Sequence, residues 1–158
     1  MGNSFALLFA AVAIALAIAT LLNARFVSQF GMRRISHAAM CAYFIINLTH
    51  LIVIETMGEN LMVFLAFMFA TFFTLGLIGP NATALAMEPQ GHNAGAASAA
   101  NGFVGTTIAA LIAVIVGRLY DGTTTPLIAG FVTLGAIAII VTLWTEKGRL
   151  FHAGESYQ

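Results

Sequence analysis

The sequence predicts an all-α fold, a polytopic membrane bundle of five transmembrane helices. Of the 158 residues, 60% are hydrophobic and only 8% are charged, whereas about 25% of the residues of a soluble domain are charged. The mean hydropathy of the chain is +0.96. Long apolar runs alternate with short polar links, and in a bilayer such runs must satisfy their backbone polar groups as helices. We therefore expect the lipid bilayer to surround this chain.

Five apolar runs approach the roughly 20 residues that a helix needs to cross a hydrocarbon core of about 30 Å. We predict spans at 5–24, 36–56, 61–87, 94–119 and 126–145, followed by a short tail at 146–158. The first run is interpreted as a span and not a signal peptide, because no Lys or Arg precedes it. Before the last span, Thr125 is the expected N-cap and Pro126 suits the first helical turn.

Charge and cysteine content narrow the class of protein. Six Lys and Arg balance six Asp and Glu, so no basic surface indicates a nucleic-acid partner. Cys41 has no second cysteine with which to form a disulfide. The acidic residues lie at span ends or outside the spans, and neither a catalytic triad nor a phosphate-binding loop is present. We expect neither an enzyme nor a cofactor.

The distribution of Lys and Arg predicts the orientation of the spans. The first and third links and the tail lie on one side, and the second and fourth links lie on the other. Five cations fall on the first side and one, Arg118, on the second. We therefore expect a multi-pass protein of the bacterial inner membrane, with Met1 outside and the C-terminus, Gln158, in the cytoplasm.

The third span contains a helix-breaking cluster, Gly76, Gly79 and Pro80. Pro80 removes the backbone bond to the carbonyl of Gly76, so a bend is expected there. The bend can be a pivot in a moving helix or a static kink filled by a neighbour. Static kinks are common in helix bundles, which favours the second interpretation.

Small residues begin the fourth span. Gly95 with Ala99, and Ser98 with Gly102, have the spacing that lets another helix backbone approach closely. Asn101 lies deeper in this span, and Asn81 follows Pro80 in the span before it. These two amides either bond to other helices or line a wet path for a solute, and the sequence leaves both alternatives open.

Tyr43, Asn47 and His50 are spaced at i, i+4 and i+7 in the second span, which places them on one helical face. His50 can take part in proton movement, because intramembrane ionisable groups usually face a cavity. The alternative, which we favour, is an interhelical hydrogen bond near the outer end of the span. His37 and Cys41 also share a face, but two ligands do not indicate a metal site.

Three segments together resemble a known transporter family. They are LLNARFVSQFGMRR at 21–34, GLIGPNATALAM at 76–87, and Gly95-x-Ala97-Ser98-Ala99 followed by Gly102-Phe103. The chain resembles, over nearly its whole length, the bicyclomycin-resistance (Bcr/CflA) multidrug branch of the major facilitator superfamily. That family has twelve spans in two halves, and these five are similar to spans eight to twelve.

The first link is similar to the degenerate second copy of the superfamily's cytoplasmic loop. Arg25 precedes this loop, and Gly31, Arg33 and Arg34 match its pattern. The residues at its Asp and Arg positions are instead Ser28 and Gln29.

The resemblance implies proton-driven export of small amphipathic drugs or metabolites, with substrate and protons as partners. The N-terminal half of the transporter would be missing, and no acidic proton carrier lies within these spans. We expect Asn47, His50, Asn81 and Asn101 to line the transport path. The alternative is a self-contained five-span protein that packs against a partner and transports nothing.

Overall fold

The computed structural model describes the backbone of residues 2–148 and 150–151, and the side chains of 9–148 and 150–151. Met1, Arg149 and residues 152–158, which include most of the predicted tail, lie outside the described residues. The chain is all-helical, with 89% helix and no strand among the residues described. The predicted all-α class is therefore confirmed.

The part of the chain that the structure describes forms five α-helices and one short 3-10 segment. They are α1 (Gly2–Phe30), α2 (Met32–Met57), α3 (Leu61–Met87), the 3-10 segment (Glu88–Asn93), α4 (Ala94–Arg118) and α5 (Thr125–Thr145). The first helices extend beyond the predicted spans, so the expected link 25–35 is helical except at Gly31. Polar residues at the ends of a span can continue its backbone hydrogen bonds, which explains the extension.

Within the described residues, four helical stretches are long and apolar enough to cross a membrane, by length and composition. They are Phe9–Phe30, Met32–Met57, Leu61–Arg118 and Thr125–Thr145. The third combines α3, the 3-10 segment and α4, and within it Gln90 has non-helical backbone angles.

The connections between the helices depend on glycine and on one asparagine cap. Gly31 and Gly58 have φ of 81° and 77°, values that only glycine adopts readily. Asn60 caps α3, since its side-chain oxygen accepts hydrogen bonds from the amides of Met62 and Val63.

The expected N-cap of α5 is wrong by one residue. The cap is Thr124, and Thr125 is the first residue of the helix. The side chain of Thr124 does not cap α5; its hydroxyl donates to the Glu59 carboxylate instead. This contact joins the α4–α5 link to the α2–α3 link.

α3 is the central helix, because it packs against both α1 and α2 while those two contact each other little. The α1–α3 interface is closest at Gly76, where an added Cβ would stand 2.7 Å from the Cβ of Ala19. α5 packs against α2, and at Gly135 an added Cβ would meet the Tyr43 ring at 3.1 Å. An apolar cluster of Ile54, Met68 and Ile128 joins α2, α3 and α5.

α4 packs differently from the other helices. None of the residues Ala94–Arg118 is buried by the described chain, and the helix touches α3 and α5 only weakly. In a bundle held by close backbone packing, a helix with no buried residue has most of its surface free for lipid or for another chain.

Candidate functional site

The predicted polar face of α2 is buried in the bundle. Tyr43 is 7% exposed, and Asn47 and His50 are fully buried. Asn47 Nδ2 donates to the carbonyl of Tyr43 at 2.8 Å, and Thr71 Oγ1 on α3 donates to Asn47 Oδ1 at 3.2 Å. These bonds satisfy the Asn47 amide, as hydrocarbon surroundings require.

His50 lies on the same face but differs from Asn47 in its hydrogen bonding. Its ring is stacked on Phe67, with centroids 4.4 Å apart and planes 6° apart, and is tilted against Phe64 at 5.7 Å. Neither ring nitrogen has a hydrogen-bond partner among the described residues. The interhelical hydrogen bond that we favoured for His50 is therefore absent from this part of the chain.

A cavity of about 350 Å³ adjoins His50 at the end of the bundle where α2 turns into α3. Ile54 and Phe64 form part of its apolar lining, and Glu59 and Thr124 contribute polar groups. A larger cavity of about 410 Å³ lies between α4 and α5 and is lined by apolar residues alone. The cavity beside His50 combines polar and apolar groups, as ligand sites do, so we take it as the candidate site.

Glu59 is held in place at this cavity by Thr124. Its Oε1 accepts a hydrogen bond from the Thr124 backbone amide and another from the Thr124 hydroxyl, the latter at 2.7 Å. These two bonds lower the pKa of Glu59, against smaller opposing effects of burial and of Asp121. Hydrogen bonds from Thr123 likewise lower the pKa of Asp121. Both carboxylates are therefore ionised at neutral pH.

Asn81 is also buried, but it belongs to a second polar contact, between α1 and α3. It is 2% exposed, and its amide is hydrogen-bonded to the Asn23 amide of α1 and to the carbonyl of Leu77. Of the two alternatives for Asn81, bonding to another helix is the one observed in this chain. Asn101 lies on the exposed surface of α4 and does not join either polar contact.

The three residues of the predicted bend have different surroundings. Gly76 is buried against α1, whereas Gly79 and Pro80 are exposed on α3. An added Cβ at Gly79 would meet nothing within 4 Å. The helix continues through Pro80 to Met87.

The small residues predicted for packing have no helix against them. Gly95, Ser98, Ala99 and Gly102 are all exposed on α4. At both glycines, a Cβ would meet nothing within 4 Å in the part of the chain that the structure describes.

The predicted cytoplasmic loop contacts the segment that follows α5. Arg33 Nη1 lies 3.0 Å from Glu146 Oε2 in an ion pair, and Arg34 Nε donates to the carbonyl of Phe151 at 3.1 Å. The amide of Phe151 in turn donates to His37 Nδ1 at 3.1 Å. Arg25 is exposed near the end of α1. The loop and the described chain after α5 therefore lie at the same end of the bundle.

Sequence reasoning missed Asn23, Thr71 and Glu146 as partners of predicted residues. Asn23 had a usable signal, because it is an amide within an apolar helix. Thr71 had none, since threonine in a membrane helix commonly bonds to its own preceding turn, as Thr74 does to the carbonyl of Thr71.

Within the described residues, no group of three or more His, Cys, Asp or Glu forms a metal-binding set.

Comparisons with known proteins add no relative. No family model, no curated protein and no solved structure matches this chain.

Proposed function

We propose that this chain is the C-terminal portion of a proton-driven efflux transporter that exports small amphipathic drugs or metabolites across the plasma membrane. The proposal rests on the resemblance described above and on one structural observation. Helices of membrane-spanning length carry Asn47, His50 and Asn81 on faces that point into the bundle, where each is at most 2% exposed. Buried polar and ionisable groups in membrane helices commonly serve a solute or proton path.

The proposal includes five spans, with the helical stretch Leu61–Arg118 counted as two. Its 58 residues would reach about 87 Å at about 1.5 Å per residue, nearly three times the hydrocarbon thickness. The 3-10 segment Glu88–Asn93 is polar and contains the non-helical Gln90. We place this segment in the cytoplasm, together with the first link, so that α3 and α4 cross the bilayer separately.

His50 is the proton-binding group that we propose within these helices. It is the histidine of the polar face of α2, and its nitrogens have no partner in the described chain. A neutral imidazole has one nitrogen free to accept a proton. In this role His50 binds a proton, while the missing half supplies the acidic carrier.

A second candidate function is that of a self-contained five-span protein that packs against a partner and does not transport. The exposed helix α4 favours this candidate, because its small residues offer a surface that another membrane helix can approach. The same surface suits the missing half of a transporter. The two functions differ in whether solute moves.

Ethidium efflux from energised bacterial cells tests the proposal. Cells would carry the chain alone, the chain together with spans one to seven of a Bcr/CflA transporter, or neither. A facilitator holds its solute between two halves and moves one against the other. We therefore expect export only from the co-expressed halves, abolished when the proton gradient is collapsed. Export by the chain alone would contradict the two-half mechanism. If neither the chain alone nor the co-expressed halves export ethidium, the second candidate, a five-span protein that packs against a partner, is favoured.

A further inference from the structure

The chain after α5 folds back onto the first two turns of α2. Glu146 Oε2 lies 3.0 Å from Arg33 Nη1 in an ion pair, and Arg34 Nε donates to the carbonyl of Phe151 at 3.1 Å. The backbone amide of Phe151 donates to His37 Nδ1, also at 3.1 Å. We call this segment the strap; its described residues are 146–148 and 150–151.

The hydrogen bond to His37 fixes the protonation state of the imidazole ring. A backbone N–H can only donate, so the nitrogen that accepts from it, Nδ1, carries no proton. The ring is therefore neutral, with its proton on Nε2. His37 is 4% exposed, and the Phe151 ring meets it edge-on, with centroids 6.0 Å apart. A proton on Nδ1 would point at the Phe151 N–H, so protonation of His37 and this contact with the strap exclude each other.

The backbone of the strap has a conformation that its contacts must hold. Lys147 has φ of 50° and Phe151 has φ of 68°. This left-handed region is uncommon for residues other than glycine, and it is least favourable for bulky side chains. Such a conformation persists where surrounding contacts fix it. Loss of the bond to His37 would remove one of the two hydrogen bonds that hold the Phe151 backbone on α2, so the strap is poised to release.

The charges around His37 add to this effect. Glu146, at the end of α5, attracts a positive ring, whereas Arg33 repels it. Arg34 is bonded to the same strap residue as His37 and brings a second guanidinium group. Cys41, one turn further along α2, is the other titratable side chain on this face of the helix. A charged His37 beneath the docked strap would therefore meet two guanidinium groups and one carboxylate.

We infer that the strap is a pH-sensitive latch, docked on α2 while His37 is neutral and released when His37 takes up a proton. Docking requires the neutral ring, so the docked strap predominates at high pH and is lost as the pH falls. The latch lies about 20 Å along α2 from His50, at about 1.5 Å per residue. It does not depend on transport, because the position of the strap is measured on the chain by itself.

The first test measures the mobility of the strap with a spin label. Leu150, half-buried in the docked strap, would be replaced by cysteine in a Cys41→Ala background and labelled with a nitroxide. Electron paramagnetic resonance of the chain in detergent, from about pH 8 to about pH 4.5, covers the titration of histidine. Release takes up one proton, so the ratio of mobile to held label should rise by up to about tenfold per pH unit. A label at Gln90→Cys, exposed in the 3-10 segment, should keep the same mobility throughout.

Matched variants assign the pH dependence to His37. His37→Asn keeps an acceptor close to the position of Nδ1 but cannot titrate, so the strap should stay docked over the whole range. His92→Asn makes the same change at an exposed histidine of the 3-10 segment, and it should behave like the parent chain. Glu146→Gln removes the carboxylate of the ion pair; it should weaken docking at every pH and leave the pH dependence in place.

Nuclear magnetic resonance of the ¹⁵N-labelled parent chain gives a second measurement, which does not require His37→Asn to fold. We expect Nδ1 of His37 to be unprotonated at high pH, and proton uptake by the ring to follow the same pH curve as the mobile fraction of the spin label. A mobility that does not change with pH, the same pH dependence in His37→Asn as in the parent chain, or a protonated His37 beneath a held strap would each overturn the inference.

Discussion

Asn23 and Asn81 exchange two side-chain hydrogen bonds between α1 and α3. Asn81 Nδ2 donates to Asn23 Oδ1 at 2.6 Å, and Asn23 Nδ2 donates back to Asn81 Oδ1 at 3.4 Å. The two residues are 7% and 2% exposed. A reciprocal pair of amides satisfies both side chains without water and fixes the register of the two helices, because a shift along either helix would break both bonds.

The asparagine pair should be coupled energetically. We expect Asn23→Ala and Asn81→Ala each to destabilise the bundle, and the double variant to cost less than the sum of the two. The coupling should be about 0.5–1.5 kcal/mol, the range of interhelical hydrogen bonds in membrane proteins. The free energies of unfolding of the parent chain, the two single variants and the double variant, measured in a series of detergent mixtures, give this coupling energy. Asn101→Ala, an amide on the exposed surface of α4, is the control, and strictly additive effects at 23 and 81 would contradict the pairing.

Gly76→Ala should destabilise the chain, although alanine favours helices. Its Cβ would stand 2.7 Å from the Cβ of Ala19 and 3.0 Å from the carbonyl oxygen of Leu16, so α1 and α3 must move apart. Overpacking of this kind costs about 1–3 kcal/mol. Gly79→Ala, on the same helix with nothing within 4 Å, should be neutral or slightly stabilising. In thermal unfolding, Gly76→Ala should melt at a lower temperature than the parent chain, and Gly79→Ala at the same or a slightly higher temperature. Equal melting temperatures of the two variants would argue against the close α1–α3 contact.

The contact between Glu59 and Thr124 should depend on pH. Since the pKa of Glu59 is lower in the folded chain than its ordinary value of 4.5, folding favours the ionised form. The stabilisation is complete above that ordinary value and is lost as the pH falls through the lowered pKa. We expect the parent chain to melt higher than Glu59→Gln at pH 7 and to approach it in acid. A difference that stays constant down to the lowest pH would show that the charge of Glu59 plays no part.

Much of the helical structure follows from the sequence, but the partners of the helices do not. Apolar runs and i, i+4, i+7 spacing predicted the helices and the shared face of Tyr43, Asn47 and His50, because backbone satisfaction in a bilayer leaves few alternatives. Lipid-facing and helix-facing residues are equally apolar, so nothing in the pattern indicated that α4 would have no buried residue. The pairing of Asn23 with Asn81 depends on α1 lying against α3, which is a property of the whole fold.

The orientation of the spans can be tested by cysteine labelling in a Cys41→Ala background. Met57→Cys lies at the last residue of α2, Thr123→Cys in the connection between α4 and α5, and Gln90→Cys in the 3-10 segment; all three positions are exposed. The five-to-one division of cations predicts that an impermeant reagent labels positions 57 and 123 in intact cells, and labels position 90 only after permeabilisation. Labelling of position 90 from outside, or opposite results at 57 and 123, would overturn the predicted topology.

Pro80 should matter for transport more than for folding. It lies inside α3 on an exposed surface, and a proline that has already removed one backbone bond can serve as a bending point during alternating access. In the two-half transporter, we expect Pro80→Ala to leave the amount of inserted protein near normal and to slow ethidium efflux several-fold. Immunoblotting of membranes alongside the efflux assay separates the two effects. Loss of protein in proportion to activity would indicate a static structural role.

The central place of α3 affects how the chain enters the membrane during synthesis. α1 and α2 precede it and contact each other little, and within the described residues the Asn23 amide and the oxygen of Asn47 bond to Asn81 and Thr71 of α3. An insertion machinery that released each helix into lipid as it formed would expose both groups to hydrocarbon. We therefore expect the first two helices to wait beside the translocon and to enter the bilayer together with the third.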